Sequence, residues 1–301
     1  IPHKIITHND TRVDNYFWMR LSDEQKNAEK PDTQTQCVLN YLNAENAYTK
    51  QSLRKTEDFQ KKLFDEIVGR IKQDDESVPY CDNGYFYITR FEKGKEHPIY
   101  SRKKGNLEAK EEIMLDENQL AKPFDYYKIA GKNVSPNNQI VAFGEDKLSR
   151  RIYTIRFKNL ATGKFLTDKI ENTTGGTVWA NDNQTVFYTR KDESLRSYKI
   201  FKHKLGSDPS TDQLVFHETD ESFSTYIYKT KSKKYLVIGS YATLTQEYQF
   251  LNADTPDGNF QLFEPRNRDL KLEYDINHYQ NKWFVKTNLE AQNFRLMECP
   301  E

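Results

Sequence analysis

The chain has 301 residues with 45 Lys plus Arg against 45 Asp plus Glu, so it is formally neutral and lacks the general electrostatic footprint of a nucleic-acid binder. Aromatic residues make up 13%, with 19 Tyr and 18 Phe against 12 Gly, which favours half-buried pleated surfaces over disorder. No apolar run approaches the ~20 residues that span a bilayer, and Cys37, Cys81 and Cys299 lie too far apart, with no His at ligand spacing, to hold a metal.

Residues 1 to about 20 read as extended or irregular, and "DNYFWMR" places three aromatics in a row, a cluster that needs a surface to dock on. Two helices follow. In "TQCVLNYLNAENAYTKQSL", Val38, Leu39, Tyr41, Leu42, Glu45 and Tyr48 keep helical spacing, with a start near Thr33 to Thr35 and a capping box between Thr33 and Gln36. In "TEDFQKKLFDEIVGRIK", Phe59, Leu63, Phe64, Ile67, Val68 and Ile71 form one apolar stripe, and Thr56, Glu57 and Asp58 suit its positive end.

After about Val78 the period changes from helical to two. Five segments pair a short polar turn with a strand of bulky residues: "NGYFYITRFE" at 83, "NNQIVAFGED" at 137, "DNQTVFYTRKD" at 182, "KKYLVIGSYA" at 233 and "QNKWFVKTN" at 280. The turns therefore recur at 54, 45, 51 and 47 residues. Within each unit a second strand follows ("IYTIRFKNLATG" in one), then a third ("KFLTDKIE"), then a strand leading to the next turn ("GTVWA"). Four strands per unit of about 50 residues is the blade pattern of a β-propeller. A β-sandwich is the competing architecture, but its strands do not recur in one internal order at a near-constant interval. Four units run from about 80 to 278 and a fifth begins before the chain stops, so the expected fold is mainly β: a partial propeller of four-stranded antiparallel blades behind an N-terminal helical arm. Trp179, Trp283, Tyr188 and Phe187 are the expected packing between blades.

The segments "HNDTRVDNYFWMR", "VLNYLNAENAYT", "LFDEIVGRIKQDDESVPYCDNGYFY", "EDKLSRRIYTIRFKNLATG" and "VWANDNQTVFYTRKD", in this order, resemble the N-terminal part of the prolyl oligopeptidase family of serine peptidases, in its oligopeptidase B branch. Asp14, Asn15, Tyr16, Phe17, Trp18 and Met19 stand where prolyl oligopeptidase itself more often reads Asp-Pro-Tyr-x-Trp-Leu. The resemblance implies a seven-bladed propeller capping an α/β-hydrolase domain and admitting only short peptides, which the branch cleaves after Lys or Arg. It implies that 1–77 is an arm packing on the hydrolase domain, and that 78–301 forms blades one to four and part of the fifth. The parent protein is then a serine endopeptidase, cytoplasmic by family habit, although the chain opens on Ile1 and an exported form is the alternative.

The hydrolase chemistry itself is not in these residues. No Gly-x-Ser-x-Gly elbow occurs, and the Ser, Asp, His order of that fold places all three beyond Glu301, so the chain alone is expected to be inactive. His3, His8, His97, His203, His217 and His278 are scattered, show no zinc-peptidase spacing and are expected at the surface or in turns; the cysteines are expected to be buried as small hydrophobes. No phosphate loop is present, and no cofactor is expected. The remaining candidates are in "EDKLSRRIYTIRF", in a turn on one rim of a blade. Arg150 and Arg151 could grip a carboxylate of the hydrolase domain, and Glu145 and Asp146 could attract cationic peptides, against the alternative of a solvated pair with no role. The competing function is a stand-alone propeller acting as an interaction platform, whose open strand edges would promote self-association.

Overall fold

The computed structural model describes residues 2–301, divided into a unit that ends at Lys72 and a second that runs from Gln73 to Glu301. Among the described residues no helix is long and apolar enough to cross a membrane.

The first unit opens with an antiparallel hairpin of β1 (His3–Thr7) and β2 (Asp10–Asp14), in the segment expected to be extended or irregular. His8 and Asn9 turn it with φ of 53° and 62°, the left-handed pair that a two-residue hairpin needs. Helix α1 (Asp23–Asn27) starts with a capping box: Gln25 N donates to Ser22 Oγ at 3.2 Å and Ser22 N to Gln25 Oε1 at 2.9 Å. Helix α2 (Thr33–Leu53) is capped instead by Asp32, whose Oδ1 accepts from Thr35 N at 2.7 Å. The expected Thr33–Gln36 box is thus displaced by one residue, because a carboxylate at the N-cap also meets the helix dipole. Trp18 packs edge-on to Tyr41 of α2 at 5.7 Å, so part of the early aromatic cluster docks there. Helix α3 (Glu57–Gly69) gains no side-chain cap from Thr56, which sits in helical conformation and donates to Leu53 O.

The second unit is a chain of antiparallel meanders. The first sheet holds β3 (Asp75–Glu76), β4 (Tyr80–Asp82), β5 (Tyr85–Phe91), β6 (Ile99–Lys104) and β7 (Glu111–Asp116), followed by the short α4 (Glu117–Ala121). Then come β8 (Lys128–Val134), β9 (Ile140–Asp146), β10 (Tyr153–Asn159), β11 (Phe165–Trp179), β12 (Thr185–Lys191), β13 (Ser197–Lys204) and β14 (Gln213–His217), joined in sequence order into one seven-stranded sheet. A four-stranded sheet of β15 (Ser224–Lys229), β16 (Tyr235–Ala242), β17 (Thr245–Asn252) and β18 (Gln261–Glu264) follows, and β19 (Tyr274–Tyr279), β20 (Lys282–Thr287) and β21 (Arg295–Pro300) form the last.

The seven-stranded sheet corrects the sequence reading, which separated "KFLTDKIE" from "GTVWA". Both belong to the 15-residue β11: Phe165 to Thr173 pair with β10, and Thr173 to Trp179 pair with β12, with the register of the second pairing shifting between Thr173 and Thr177. The shift falls on Gly175, whose φ of +88° only glycine adopts freely. A Cβ on Gly144 would also lie 2.8 Å from Gly175 O and nearer still to Gly175 Cα. Glycine on both sides lets the last strand of one meander pass directly into the first strand of the next.

Alternation along the central strands buries both faces of each meander. In β9, Val141 and Phe143 enter a cluster with Tyr87, Leu115 and Ile129, while Ala142 enters another with Phe157 and Trp179. In β12, Val186 and Tyr188 face back into that second cluster and Phe187 faces forward to Leu236 and Ile238. In β16, Val237 faces forward to Tyr274 and Trp283. Successive meanders therefore stack face to face in chain order, and Trp179, Trp283, Tyr188 and Phe187 all sit between them.

Candidate functional site

Antiparallel order sorts the connections of each meander onto two rims. Turns from the first to the second strand, such as 135–139, share one rim; turns from the second to the third, such as 147–152, share the other with the links between meanders. Hydrogen bonds respect this sorting.

On the first rim the polar repeat turns are tied in series. Asn83 Nδ2 donates to Pro136 O at 2.6 Å, Asn137 N to Asn183 Oδ1 at 2.7 Å, Asn181 Nδ2 to Lys233 O at 3.2 Å, and Lys231 N to Asn277 Oδ1 at 2.8 Å. Asn83, Asn138, Asn183, Lys233 and Gln280 occupy one position of the five turns with φ between 46° and 63°. Asparagine tolerates that conformation and supplies the linking amide, which accounts for the repeat's polar signature. Beneath these turns is a cavity of about 240 Å³ lined by Asp82, Asn133, Trp179, Asn181, Lys229 and Lys233, among others. Lys233 Nζ meets Asp82 Oδ1 at 2.5 Å, and Lys229 Nζ donates to Asn181 Oδ1 at 2.5 Å. Burial, reinforced by the Lys233 charge, pushes the Lys229 ammonium down to about 8.

The four residues singled out from the sequence are on the opposite rim, where the structure separates them into two pairs. Glu145 and Asp146 are buried, at 7% and 1% exposure. Glu145 accepts from Tyr127 OH at 3.0 Å, Lys147 Nζ at 2.8 Å and Arg156 at 3.2 Å. Burial first, then the Glu145 charge, drives the Tyr127 phenol well above its ordinary range. Asp146 accepts from Leu148 N at 2.9 Å and Arg151 N at 2.8 Å, closing a loop in which Ser149 and Arg151 have φ of 58° and 56°. These carboxylates fold the loop and present no free charge outward. Arg150 and Arg151 are exposed, and neither guanidinium has a hydrogen bond or ion pair among the described residues. Lys191 Nζ donates to Arg151 O at 2.7 Å, which ties this loop to the next of its class.

The same rim carries a cluster that the sequence reading missed. Arg266 donates to Glu218 Oε2 at 2.8 Å and to Glu247 Oε1 at 3.1 Å, and its guanidinium stands 3.9 Å over the Phe223 ring. Arg268 pairs with Asp220, and Arg196 donates to Asp220 O at 3.1 Å and Phe223 O at 2.8 Å. Three arginines thereby hold the link between β14 and β15.

Two histidines depart from the expected surface position. His203 and His278 are both fully buried. His278 Nδ1 is 2.8 Å from Ser232 Oγ, and His203 is placed between Asp168 and Asp212. A signal was present for His203: Asp168 falls between Leu166 and Ile170 on one strand face, and His203 shares a face with Phe201. The cysteines depart the other way, all three being exposed free thiols, on α2, on β4 and on β21. Among the described residues no cluster of His, Cys, Asp and Glu could hold a metal ion.

The family model for the prolyl oligopeptidase N-terminal beta-propeller domain matches residues 2–301. Among curated proteins, the dipeptidyl aminopeptidase BI of Pseudoxanthomonas mexicana is 38% identical over 99% of this chain and 42% of its own length. Protease 2 of Moraxella lacunata is 32% identical over 100% of this chain and 43% of its own length. The solved structure of oligopeptidase B from Leishmania major superposes with a TM-score of 0.86 at 29% identity, covering 100% of this chain and 43% of that one. The chain thus spans less than half the length of the proteins it matches.

Proposed function

This chain belongs to the prolyl oligopeptidase family, as its N-terminal β-propeller domain, and we propose that it is the gating part of a serine oligopeptidase whose catalytic α/β-hydrolase domain follows Glu301. In this reading the successive meanders of 78–301 are the first blades of a seven-bladed ring, and 1–77 is the arm that packs on the hydrolase domain. The ring restricts entry to short unfolded peptides, cleaved after Lys or Arg. The observation that carries it is the outer face of α3 and the residues after it. Phe59, Phe64, Ile67 and Ile71 are 60%, 66%, 56% and 59% exposed, an apolar stripe with no cover of its own. A hydrolase domain encoded downstream supplies that cover. The free guanidinium groups of Arg150 and Arg151, held on a loop with fixed backbone, suit a carboxylate on the same partner. Three exposed, unpaired thiols suit a cytoplasmic setting.

The 38% identity to a protein named dipeptidyl aminopeptidase supports a second specificity, removal of dipeptides from free N-termini. Assay of the full-length protein separates the two. Turnover of an N-blocked arginyl reporter supports endopeptidase action, and turnover of only unblocked dipeptidyl reporters supports the second reading. Residues 1–301 alone should turn over neither, and replacing Phe64 and Ile67 by Asp should weaken capture of a separately produced hydrolase domain. Inactivity of the full-length protein on every peptide would overturn the proposal in favour of a stand-alone interaction platform.

A further inference from the structure

His203 on β13 is fully buried, and the side chains of Asp168 on β11 and Asp212 beyond the 3-10 turn at Pro209–Thr211 are 4% and 2% exposed. Its Nδ1 lies 2.7 Å from Asp212 Oδ1 and its Nε2 lies 3.1 Å from Asp168 Oδ1. An ionised carboxylate only accepts, so each ring nitrogen needs its own proton to bond both aspartates, and the ring must be an imidazolium. The remaining contacts agree. Asp168 Oδ1 also accepts from Gly206 N at 2.5 Å, and Asp212 Oδ2 accepts from Tyr188 OH at 2.8 Å, so both carboxylates are already held as acceptors. Of the other groups packed around the ring, Phe157 stacks at 6.1 Å and carries no charge, and Arg190 donates at 3.4 Å to the Tyr188 hydroxyl that in turn donates to Asp212, so its charge reaches the ring only through that relay.

We infer that Asp168, His203 and Asp212 form a proton-dependent clasp that fixes the 205–212 loop, which leads into the edge strand β14, to strands β11 and β13 of the seven-stranded sheet while His203 is doubly protonated, and releases the loop when that proton leaves. Loss of either ring proton puts a nitrogen lone pair against a carboxylate oxygen in a site closed to bulk solvent, which removes one bond and adds repulsion. Burial opposes the imidazolium, but the hydrogen bonds and charges of Asp212 and Asp168 outweigh it and raise the His203 pKa above 6.5. Because the folded-state value is the higher one, the clasp is complete below the ordinary histidine range and is lost as pH rises through the raised value. The clasp is therefore a device that loosens one loop on the alkaline side.

Hydrogen–deuterium exchange of the full-length protein, followed by mass spectrometry from pH 6 to 10 and corrected for base catalysis, tests this. Peptides covering 205–212 should lose protection severalfold as pH rises, while peptides from β16 keep theirs. His203→Gln, whose amide has a single donating nitrogen opposite an accepting oxygen and does not titrate, should show low protection of 205–212 at every pH. Protection of 205–212 that is flat in the wild-type protein, or that falls equally in β16, overturns the proposal, and this readout stands whether or not the variant folds.

Discussion

Replacing Arg266 by Ala removes the cation that, among the described residues, pairs with both the buried Glu218 and the half-buried Glu247. Glu218 is 3% exposed overall and the Glu247 side chain 14%, and Arg266 reaches both. Breaking a buried pair by deleting one partner costs about 3–5 kcal/mol, because the charge left behind has neither water nor counterion. The Arg266 side chain is itself 23% exposed, which places this case at the lower end, and the lost contact with Phe223 adds up to about 1 kcal/mol. We expect a loss of about 3 kcal/mol, read from urea unfolding near pH 7. Two controls follow from the same physics. Adding Glu218→Gln and Glu247→Gln to the Arg266→Ala chain should recover about half of the loss, since no uncompensated charge then remains. Burial alone would raise the Glu218 pKa, but its hydrogen bonds and the Arg266 charge outweigh that and hold it below 4.5. The stabilisation is thus present above the ordinary carboxylate range and lost as pH falls through the lowered value, so the penalty of Arg266→Ala should shrink in acid. A loss under about 1 kcal/mol, or one that the Gln substitutions leave untouched, would refute the reasoning.

Gly144→Ala should destabilise the second unit by about 2 kcal/mol or more in the same assay, because its Cβ meets the backbone of Gly175, which no rotamer change can move. Asp146→Ala should cost about 1–3 kcal/mol by stranding the amides of Leu148 and Arg151, whereas Arg150→Ala and Arg151→Ala should leave unfolding unchanged. In the full-length protein those two arginine substitutions should lower activity and loosen domain closure; no change in either would remove the pair from the interdomain contact. Lys229, pushed down to about 8, should be labelled by an amine-reactive ester at pH 8 faster than exposed lysines such as Lys231, as read by peptide mass spectrometry. Equal labelling would place it in water.

Patterning alone determined the repeat, the strand content and the inward faces. Bulky residues at every second position bury wherever both sides of a strand are covered, and a left-handed turn every 45 to 54 residues calls for Asn or a similar residue at a fixed place. Only the tertiary structure decided what depends on residues distant in sequence. The fusion of two meanders through β11 rests on Gly144, 31 positions before Gly175, being bare enough for that crossing. The same holds for charge: "EDKLSRR" reads as two outward-facing pairs, yet Asp146 turns inward because two amides of its own loop need an acceptor, and Glu145 because Tyr127 and Arg156 reach it. His203 reads as a lone polar residue on a strand until β11 and the 205–212 loop bring aspartates to both ring nitrogens. Local periodicity is set by backbone geometry and is legible one strand at a time, whereas the burial and protonation of a charged group depend on partners that only the folded chain brings together.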